Sequence, residues 1–491
     1  MFGHAPPDDH DSPYKKVDKA KQQNKKFLLR TRRVLFALVC TSVGCVLGTW
    51  FAVHQEAPYA QQRDCVAHYD VPRPLFFDDP RVVTVTVPAP SPSAVSAPAE
   101  PPLLNGPPTA AFKDNLRPEV QYITTWPGSG WTNDVMLYMN LLYLALITER
   151  VPVIPYFTPT HVGGSAPTLA FGEVFDLPRL ERALGKSVLE WHQVKDPQSE
   201  SVDVLGCWTV WQAVQSGNAE PHFTSATNRL KLDVSYTTAP RWIKILPDND
   251  GDPFAAFWAL ASLAFPERRT ANLQAPALSP IYQVALPPDE HMLCYDYLYY
   301  VGASSIYEWE SDYSPAWRFV GRYMYWTPKI EAIADSYVRR VLGTAPFEPT
   351  PPYIAVHVRH GDFRGWCSLP LEECFAPLSA IVRRVDEVQA ELWQRRRATV
   401  EHVIVTSDEQ DPEWWDAVHD LGWVGPDHTE TVAVHGEWYP ILIDAAIHSG
   451  ALGFVGTDRS TVSLVAAKRV ATWHGGAVRM VRWGEPGADD H

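Results

Sequence analysis

Residues 354–363 read IAVHVRHGDF, and this stretch decides the fold class of the chain. Its apolar first half predicts a buried strand, which stops abruptly at a cluster of His, Arg, Gly and Asp. Strands of open α/β sheets present ligand groups at their carboxyl ends. Arg359 lies at this end with a permanently charged fork of donors that suits a phosphate or diphosphate. The stretch therefore predicts an anion-binding strand end in a parallel sheet.

Two later strands end in the same way. The sequence predicts strands over 353–358, 402–406 and 453–456, alternating with helices over 378–397, 414–421 and 440–449. Ser407 and Asp408 end the second strand, and Ser460, Thr461 and Ser463 follow the third. Because the carboxyl ends of parallel strands meet at one edge, we expect these side chains to converge with Arg359.

Such an edge would form a nucleotide-diphosphate site. Arg359 would hold one phosphate, and Ser460 and Thr461, with the amides that open the next helix, would hold more. Asp408 would accept from a base that carries donor groups, as guanine does. A lone His-x-Arg at a strand end is more often structural, and Ser460 and Thr461 could simply cap a helix.

The first half of the chain predicts a second unit of the same kind. A short strand at Tyr122, a glycine-bearing turn over 126–133, a helix over 134–148 and a strand from Val151 follow one another. Another helix is predicted from Thr327, with Pro328 in its first turn. We expect a domain over 118–340 and another over 341–491, while residues 160–326 show no clear pattern.

The N-terminal region has the composition of a membrane anchor and a stem. Residues 34–53 are an uncharged apolar run long enough to cross a bilayer as a helix. The basic segment 1–33 precedes it and would stay cytosolic, and residues 54–117 are rich in Pro, Ser and Ala. We expect a single-pass type II protein of the Golgi or endoplasmic reticulum membrane; a cleaved signal peptide is the alternative.

Charge and cysteines bear on partners and compartment. The chain carries −15 and its first 33 residues carry nine Lys/Arg and four Asp, which leaves −20 for the rest and argues against a nucleic-acid partner. Cys40 and Cys45 lie in the apolar run, so five cysteines would lie in an oxidising lumen. Cys367 and Cys374 are the expected local pair.

The motifs together resemble the GDP-fucose protein O-fucosyltransferase family. The resemblance rests on His-x-Arg-x-Gly-Asp-Phe over 357–363, the Ser-Asp strand end at 407–408 and Asp444 on a helix. It also rests on Phe-Val-Gly-x-x-x-Ser-Thr-x-Ser over 454–463 and the glycine loop over 128–133. It covers about 120–160 and 326–470. It implies a GT-B fold of two Rossmann-like domains, GDP-fucose as donor, inversion at the anomeric carbon, and no required metal or other cofactor.

The resemblance also implies roles for individual residues. Arg359 would neutralise the leaving β-phosphate, with His357 lining the same pocket and Asp362 orienting Arg359 or contacting the donor. Asp408, beside Ser407, would meet guanine, and Ser460, Thr461 and Ser463 would surround the phosphates.

The acceptor side is less well defined. Asn133 falls where the family places a polar residue near the reacting centre. The family's commoner forms have Gln or Arg close after that Asn, whereas here Asp134 follows and could be a base instead. The partners expected are therefore a GDP-sugar donor, a protein or glycan acceptor, and the membrane through one helix.

Two other functions are open. The segment 248–252, Asp-Asn-Asp-Gly-Asp, contains Asp-x-Asp twice, so Asp250 and Asp252 could bind Mg or Mn in a metal-dependent GT-A glycosyltransferase. A solvated turn is the simpler interpretation of that segment. A catalytically inactive glycan-binding or scaffold protein could also keep the fold.

Overall fold

The computed structural model describes residues 102–490, apart from positions 216, 218, 219, 312 and 346. The predicted cytosolic segment 1–33, the anchor over 34–53 and the stem up to residue 101 lie outside the described residues. Within 102–490, no helix combines the length and the apolar character that crossing a membrane requires.

The first half of the described chain builds a six-stranded sheet. Its strands run in the order β3-β2-β1-β7-β4-β5, and neighbouring strands are parallel. Two further strands of this half, β6 and β8, form a separate parallel pair. The bounds are β1 Tyr122–Thr125, β2 Val151–Ile154, β3 Leu189–Glu190, β4 Asp203–Thr209, β5 Leu232–Thr238, β6 Ala255–Ala256, β7 Met292–Tyr295 and β8 Val301–Gly302.

The second half builds a four-stranded parallel sheet in the order β10-β9-β11-β12. Its strands are β9 Tyr353–Val358, β10 His402–Ser407, β11 Gly453–Thr457 and β12 Ala477–Val481. Every residue of β9 is buried, as expected for a strand covered on both faces by helices. The strand order reverses between β9 and β11, which is where open α/β sheets bind ligands.

Helices connect the strands of both sheets. The described helices are α1 Phe112–Asn115, α2 Trp131–Ile147, α3 Phe171–Val174, α4 Leu177–Leu184, α5 Trp191–Val194, α6 Trp211–Val214, α7 Ala226–Arg229, α8 Phe257–Ser262, α9 Pro266–Asn272, α10 Pro315–Phe319, α11 Pro328–Val341, α12 Leu371–Cys374, α13 Leu378–Arg396, α14 Pro412–Asp420, α15 Thr431–His435, α16 Tyr439–Gly450 and α17 Thr461–Trp473. Those of eight or more residues are α2, α4, α11, α13, α14, α16 and α17. Short 3-10 turns occupy Arg241–Ile243, Glu308–Glu310, Gly321–Tyr323 and Asp362–Trp366.

One hydrophobic core runs through both sheets. Ile123 of β1 and Tyr138 of α2 belong to the same buried cluster as Phe454 of β11 and Val465 of α17. Helix α11 begins as the sequence predicts, with the Thr327 hydroxyl accepting from the Ile330 amide at 3.4 Å. It packs against α16 of the second sheet. The predicted α/β class with parallel sheets is confirmed.

Packing extends into the segment that the sequence assigns to the stem. Phe112 and Leu116 are buried against the first sheet, and Asn115 donates to the backbone carbonyls of Gln193 and Val194. Residues from Leu103 onward belong to one compact unit with both sheets. The prolines of this segment therefore do not prevent its last turns from contributing to the core.

Two disulfides lie in the described chain. Cys367–Cys374 closes the short loop after the motif, as the sequence predicts. Cys207–Cys294 joins the neighbouring strands β4 and β7 across a separation of 87 residues. Spacing alone does not indicate this second pair, because the two cysteines meet only when the sheet forms.

Candidate active site

Arg359 lies at the carboxyl end of β9, held by groups from three strand ends. Its amide donates to Thr457 Oγ1 at the end of β11, 2.9 Å away. Its Nη1 is 2.7 Å from Asp408 Oδ2, beyond β10, and its Nε is 2.9 Å from Asp362 Oδ1. The side chain remains 35% exposed. The guanidinium is thus fixed in direction while one part of it faces solvent.

Asp408 organises the loop that carries Arg359. Its Oδ1 accepts from the amides of His360 and Gly361, at 2.8 and 3.0 Å. Gly361 is required at this point because a Cβ there would lie 2.3 Å from Asp408 Oδ2. Ser407, just before, accepts from the Glu409 amide at 3.0 Å. The carboxylate predicted to meet a base is therefore also the group that shapes the Arg359 loop.

His357 is buried below the edge and is neutral. Its Nδ1 lies 2.8 Å from Ser463 Oγ, which also accepts from the Thr457 amide at 3.0 Å. Gly456 admits this serine, because a Cβ at Gly456 would be 2.6 Å from Ser463 Cβ. In the neutral ring, Nδ1 either accepts the serine proton or donates to the second lone pair of Ser463 Oγ. Burial, with a smaller effect of Arg359, lowers the pKa of His357 to about 3.

The turn from β11 into α17 provides backbone donors at the same edge. Ser460 is the N-cap, and its Oγ accepts from the Ser463 amide at 3.4 Å. Thr461 opens the helix, so its amide is among the unpaired donors of the first turn. Arg459 has a φ of +68°, a region that non-glycine residues seldom adopt. A strained turn thus places a helix N-terminus, which favours anions, beside Arg359.

A second ionic group supports the outer side of this loop. His360 Nδ1 and Arg364 Nη2 lie 2.7 and 2.6 Å from the two oxygens of Glu409. Burial alone would raise the pKa of Glu409, but hydrogen bonds from His360 and from two backbone amides lower it to about 2. A cleft of about 890 Å³ opens here, with Trp414 and Asp408 in its wall. Glu409 belongs to none of the motifs that the sequence pattern indicates.

Asp444 and His448 lie one turn apart on α16, behind the same edge. Asp444 Oδ1 is 2.8 Å from His428 Nε2, and His428 Nδ1 is 3.0 Å from Thr431 Oγ1. His448 Nε2 is 2.6 Å from Thr406 Oγ1, and its ring meets that of His357 at a centroid distance of 5.2 Å. Burial lowers the pKa of His448 to about 3.

Asn133 and Asp134 lie in the first turn of α2, beyond β1 of the other sheet. Asp134 is fully buried, and its Oδ1 accepts from the amides of Gly128 and Ser129, both at 3.1 Å. Burial raises its pKa well above the usual range. Asp134 Oδ2 and Asn133 Oδ1 are buried without a hydrogen-bond partner among the described residues. Asp134 thus holds the glycine loop closed.

A neighbouring group at this edge was missed in the sequence. Asp296 directly follows β7 and accepts five hydrogen bonds, from the Thr209 hydroxyl and from the amides of Val210, Trp211, His222 and Tyr297. Tyr297 stacks on His222 at 3.7 Å and lies 2.6 Å from Ser129 Oγ. Asp296 follows the apolar run Met292–Tyr295 as Arg359 follows its own strand, so the same signal is present. It was missed because the sequence over 160–326 shows no clear pattern of strands.

The structure thus gathers most of the predicted residues into one network. The donor-side residues are linked to one another by hydrogen bonds or lie next to one another in the chain: His357, Arg359, Asp362, Ser407, Asp408, Ser460, Thr461 and Ser463. Asn133 and Asp134 belong to the edge of the first sheet, and within the described residues they form no hydrogen bond with that network.

The Asp-rich segment of the metal-dependent alternative is a turn. Asp250 pairs with Arg241 on the surface. Asp252 is buried and accepts from the amides of Leu246 and Phe254, at 2.7 and 3.0 Å. In the described part of the chain, no three His, Cys, Asp or Glu side chains are grouped so that they could hold a metal ion.

Comparison with solved structures finds fucosyltransferases. POFUT1 in its apo form matches with 16% identity and a TM-score of 0.45 over 73% of this chain and 97% of that one. POFUT1 in complex with GDP-fucose matches with 17% identity and a TM-score of 0.44 over 73% and 98%. Fucosyltransferase NodZ from Bradyrhizobium matches with 13% identity and a TM-score of 0.36 over 75% and 97%. No protein-family model and no curated protein matches the chain. At these values the function has to be inferred from the residues of the site.

Proposed function

We propose that this protein is an inverting glycosyltransferase of GT-B architecture that transfers fucose from GDP-fucose to a hydroxyl of a protein or glycan. The observation that carries the proposal is Arg359, an oriented and partly exposed guanidinium at the switch point of a parallel sheet. The N-terminus of α17 lies at the same edge. Together they form a site for a diphosphate that gains charge during a reaction.

The proposed step forms one bond and breaks one. The acceptor oxygen attacks the anomeric carbon, and the bond from that carbon to the β-phosphate oxygen breaks on the opposite face. The electron pair leaves with GDP, and the hydroxyl proton passes to a base or to solvent. Negative charge builds on the departing diphosphate. A guanidinium whose direction is fixed in advance therefore lowers the barrier more than a hydrogen-bonding group that must first reorient. Asp362 and Asp408 hold Arg359 in that direction.

Neighbouring residues take supporting roles in this proposal. In this proposal Ser463 donates to Nδ1 of the neutral His357 ring, which keeps the ring proton on Nε2 and offers it to GDP-fucose. Ser460 and Thr461 present the first amides of α17 to the phosphates. Asp408, in the wall of the 890 Å³ cleft, is placed to accept from guanine.

The acceptor is proposed to approach from the edge of the first sheet, where Asn133 is the nearest predicted polar residue. The enclosed carboxyl of Asp134 favours a role in shaping the loop over a role as base. The reaction requires no metal in this proposal. The apolar run over 34–53 supports a type II anchor that places the enzyme in the lumen of the Golgi or endoplasmic reticulum.

A thermal-shift panel tests the donor half directly. The protein would be melted with GDP, UDP, CMP and their sugars, each with and without EDTA. We expect GDP and GDP-fucose to raise the melting temperature whether or not EDTA is present, since a ligand that binds only the folded state stabilises it.

Other results would replace the proposal. Stabilisation by UDP-sugars that EDTA abolishes would favour the metal-dependent transferase with Asp250 and Asp252. No stabilisation by any nucleotide would favour the inactive glycan-binding or scaffold protein. If GDP does stabilise the protein, the rate of GDP release from GDP-fucose, compared with the rates from other GDP-sugars, would assign the sugar.

A further inference from the structure

Arg469 is a buried arginine with no acid beside it. It lies on α17 and is 1% exposed, and its Nε and Nη2 have no hydrogen-bond partner among the described residues. No salt bridge to it occurs within the described part of the chain. An isolated charge in such a place costs several kcal/mol unless something compensates it.

Aromatic faces surround the guanidinium instead. Its central carbon lies 4.3 Å from the ring centroid of Trp326, 5.2 Å from that of Trp473 and 5.6 Å from that of Phe175. The negative faces of these rings attract a cation, most strongly when water is excluded. Burial lowers the pKa of Arg469 to about 9. The cage therefore holds Arg469 by ring faces alone, from residues far apart in sequence.

The cage continues in both directions as a column of stacked rings. Trp326 stacks on Trp131 with centroids 5.8 Å apart and an interplanar angle of 15°. Trp473 stacks on Tyr325 at 4.6 Å, and the Arg179 guanidinium lies 3.4 Å above the same Tyr325 ring. Each of the two cations, Arg179 and Arg469, is thus followed by two rings along a column that runs from α4 through α17 to Trp131 on α2.

Helices α2 and α17, which this column joins, carry the two halves of the proposed site. Trp131 is the first residue of α2 and stands two positions before Asn133. Arg469 lies on the helix whose other end is capped by Ser460, beside Arg359. A shift of α17 against the cage would therefore move its N-terminus relative to the glycine loop.

We propose that Arg469 is a positioning residue that fixes the donor edge of the second sheet relative to the glycine loop of the first. This inference rests on the proposed function for its consequence in catalysis. The guanidinium does not touch the donor. It holds α17 in one register against Trp326 and Trp131, which sets the separation between the departing diphosphate and the acceptor beside Asn133.

The test is Arg469→Met, which keeps an unbranched apolar stem and removes the guanidinium, with Arg469→Lys as the variant that retains a cation. Arg395→Met, on an exposed arginine of α13, is the matched control. Removing the guanidinium loses its contacts with the rings but also removes the cost of burying a charge, so Arg469→Met should still melt in one cooperative transition. We expect its affinity for GDP to stay unchanged, because the donor edge is built without Arg469. Its turnover of GDP-fucose should fall about 10- to 100-fold, the effect of a small misplacement. Arg469→Lys should recover part of that loss.

Amide hydrogen exchange tests the positioning role of Arg469 without any substrate. In Arg469→Met, the amides of residues 134–138, which are hydrogen-bonded at the start of α2, should exchange faster than in the wild type, while those of β9 and β11 stay protected. Wild-type exchange at residues 134–138 would overturn the positioning role, whatever happens with GDP-fucose. If the wild type neither binds GDP nor turns over GDP-fucose, the proposed function fails by itself, and the exchange result still decides on Arg469.

Discussion

The carboxyl edges of the two sheets use acidic side chains in opposite ways. At the second sheet, Asp362 and Asp408 flank a guanidinium that keeps a third of its surface exposed. At the first sheet, Asp134 and Asp296 are fully buried, and among the described residues their carboxylates accept only from backbone amides and one hydroxyl. The second edge therefore offers a positive group to a ligand, whereas the first uses its acids to shape loops. In this protein a carboxylate at a strand end therefore indicates a ligand site only where its hydrogen-bond partner is exposed to solvent.

Arg359→Ala should have the largest effect. Without the guanidinium, the charge that builds on the diphosphate loses its fixed partner, so turnover of GDP-fucose should fall about 10²- to 10³-fold. Steady-state kinetics measure this, with Arg395→Ala as a surface control. Full activity of Arg359→Ala would remove the contrast between the two edges.

Gly361→Ala should have the next largest effect. The new Cβ would lie 2.3 Å from Asp408 Oδ2, so the loop and Arg359 have to shift. We expect donor turnover to fall about 10- to 100-fold. Gly365→Ala, in the 3-10 turn that follows Gly361, is a matched control because its Cβ would meet nothing within 4 Å. Equal activities of the two variants would mean that the Asp408 contact does not orient Arg359.

Acid should destabilise the centre of the second sheet. His357 and His448 have folded pKa values of about 3, below their usual value of 6.5. The unfolded chain therefore takes up protons first, so stability is complete above pH 6.5 and falls as the pH drops from 6.5 towards 3. At pH 5.5 each histidine should cost about 1 kcal/mol.

Denaturant midpoints at pH 7 and 5.5 measure this loss. His448→Gln, which keeps a side chain able to bond Thr406, should lose less stability than the wild type between these two pH values. His402→Gln, at an exposed position, should lose as much as the wild type. An unchanged loss in His448→Gln would contradict the buried neutral state of this ring.

Asp134→Asn should have the smallest effect. The amide keeps an Oδ1 acceptor for Gly128 and Ser129 and carries no charge, which suits a fully buried site. We expect turnover near the wild-type level. A loss of about 10²- to 10⁴-fold would instead identify Asp134 as a general base and make the first edge catalytic as well.

Local pattern was sufficient for β9, β10 and β11 of the second sheet, and insufficient for its fourth strand, β12, and for the middle of the first sheet. Strand β9 and helices α11 and α13 follow the sequence closely, because continuous apolar runs and a Thr-Pro cap are local signals. Residues 160–326 contain short strands such as β3 and β8, whose two residues each carry no periodicity. Their strand character comes from pairing with neighbours.

The sequence by itself determined the α/β class, the three polar strand ends and Arg359 as their central cation. Each follows from an apolar run and the residue after it. Only the tertiary structure decided that Asp134 is enclosed, that Asp296 joins five donors, and that Arg469 sits in an aromatic cage. Most partners of Asp296 and Arg469 are tens to hundreds of positions away, whereas the donors to Asp134 are only five and six positions away and its enclosure depends on burial. The energy of a charge is set by its surroundings in space, which a linear pattern does not contain.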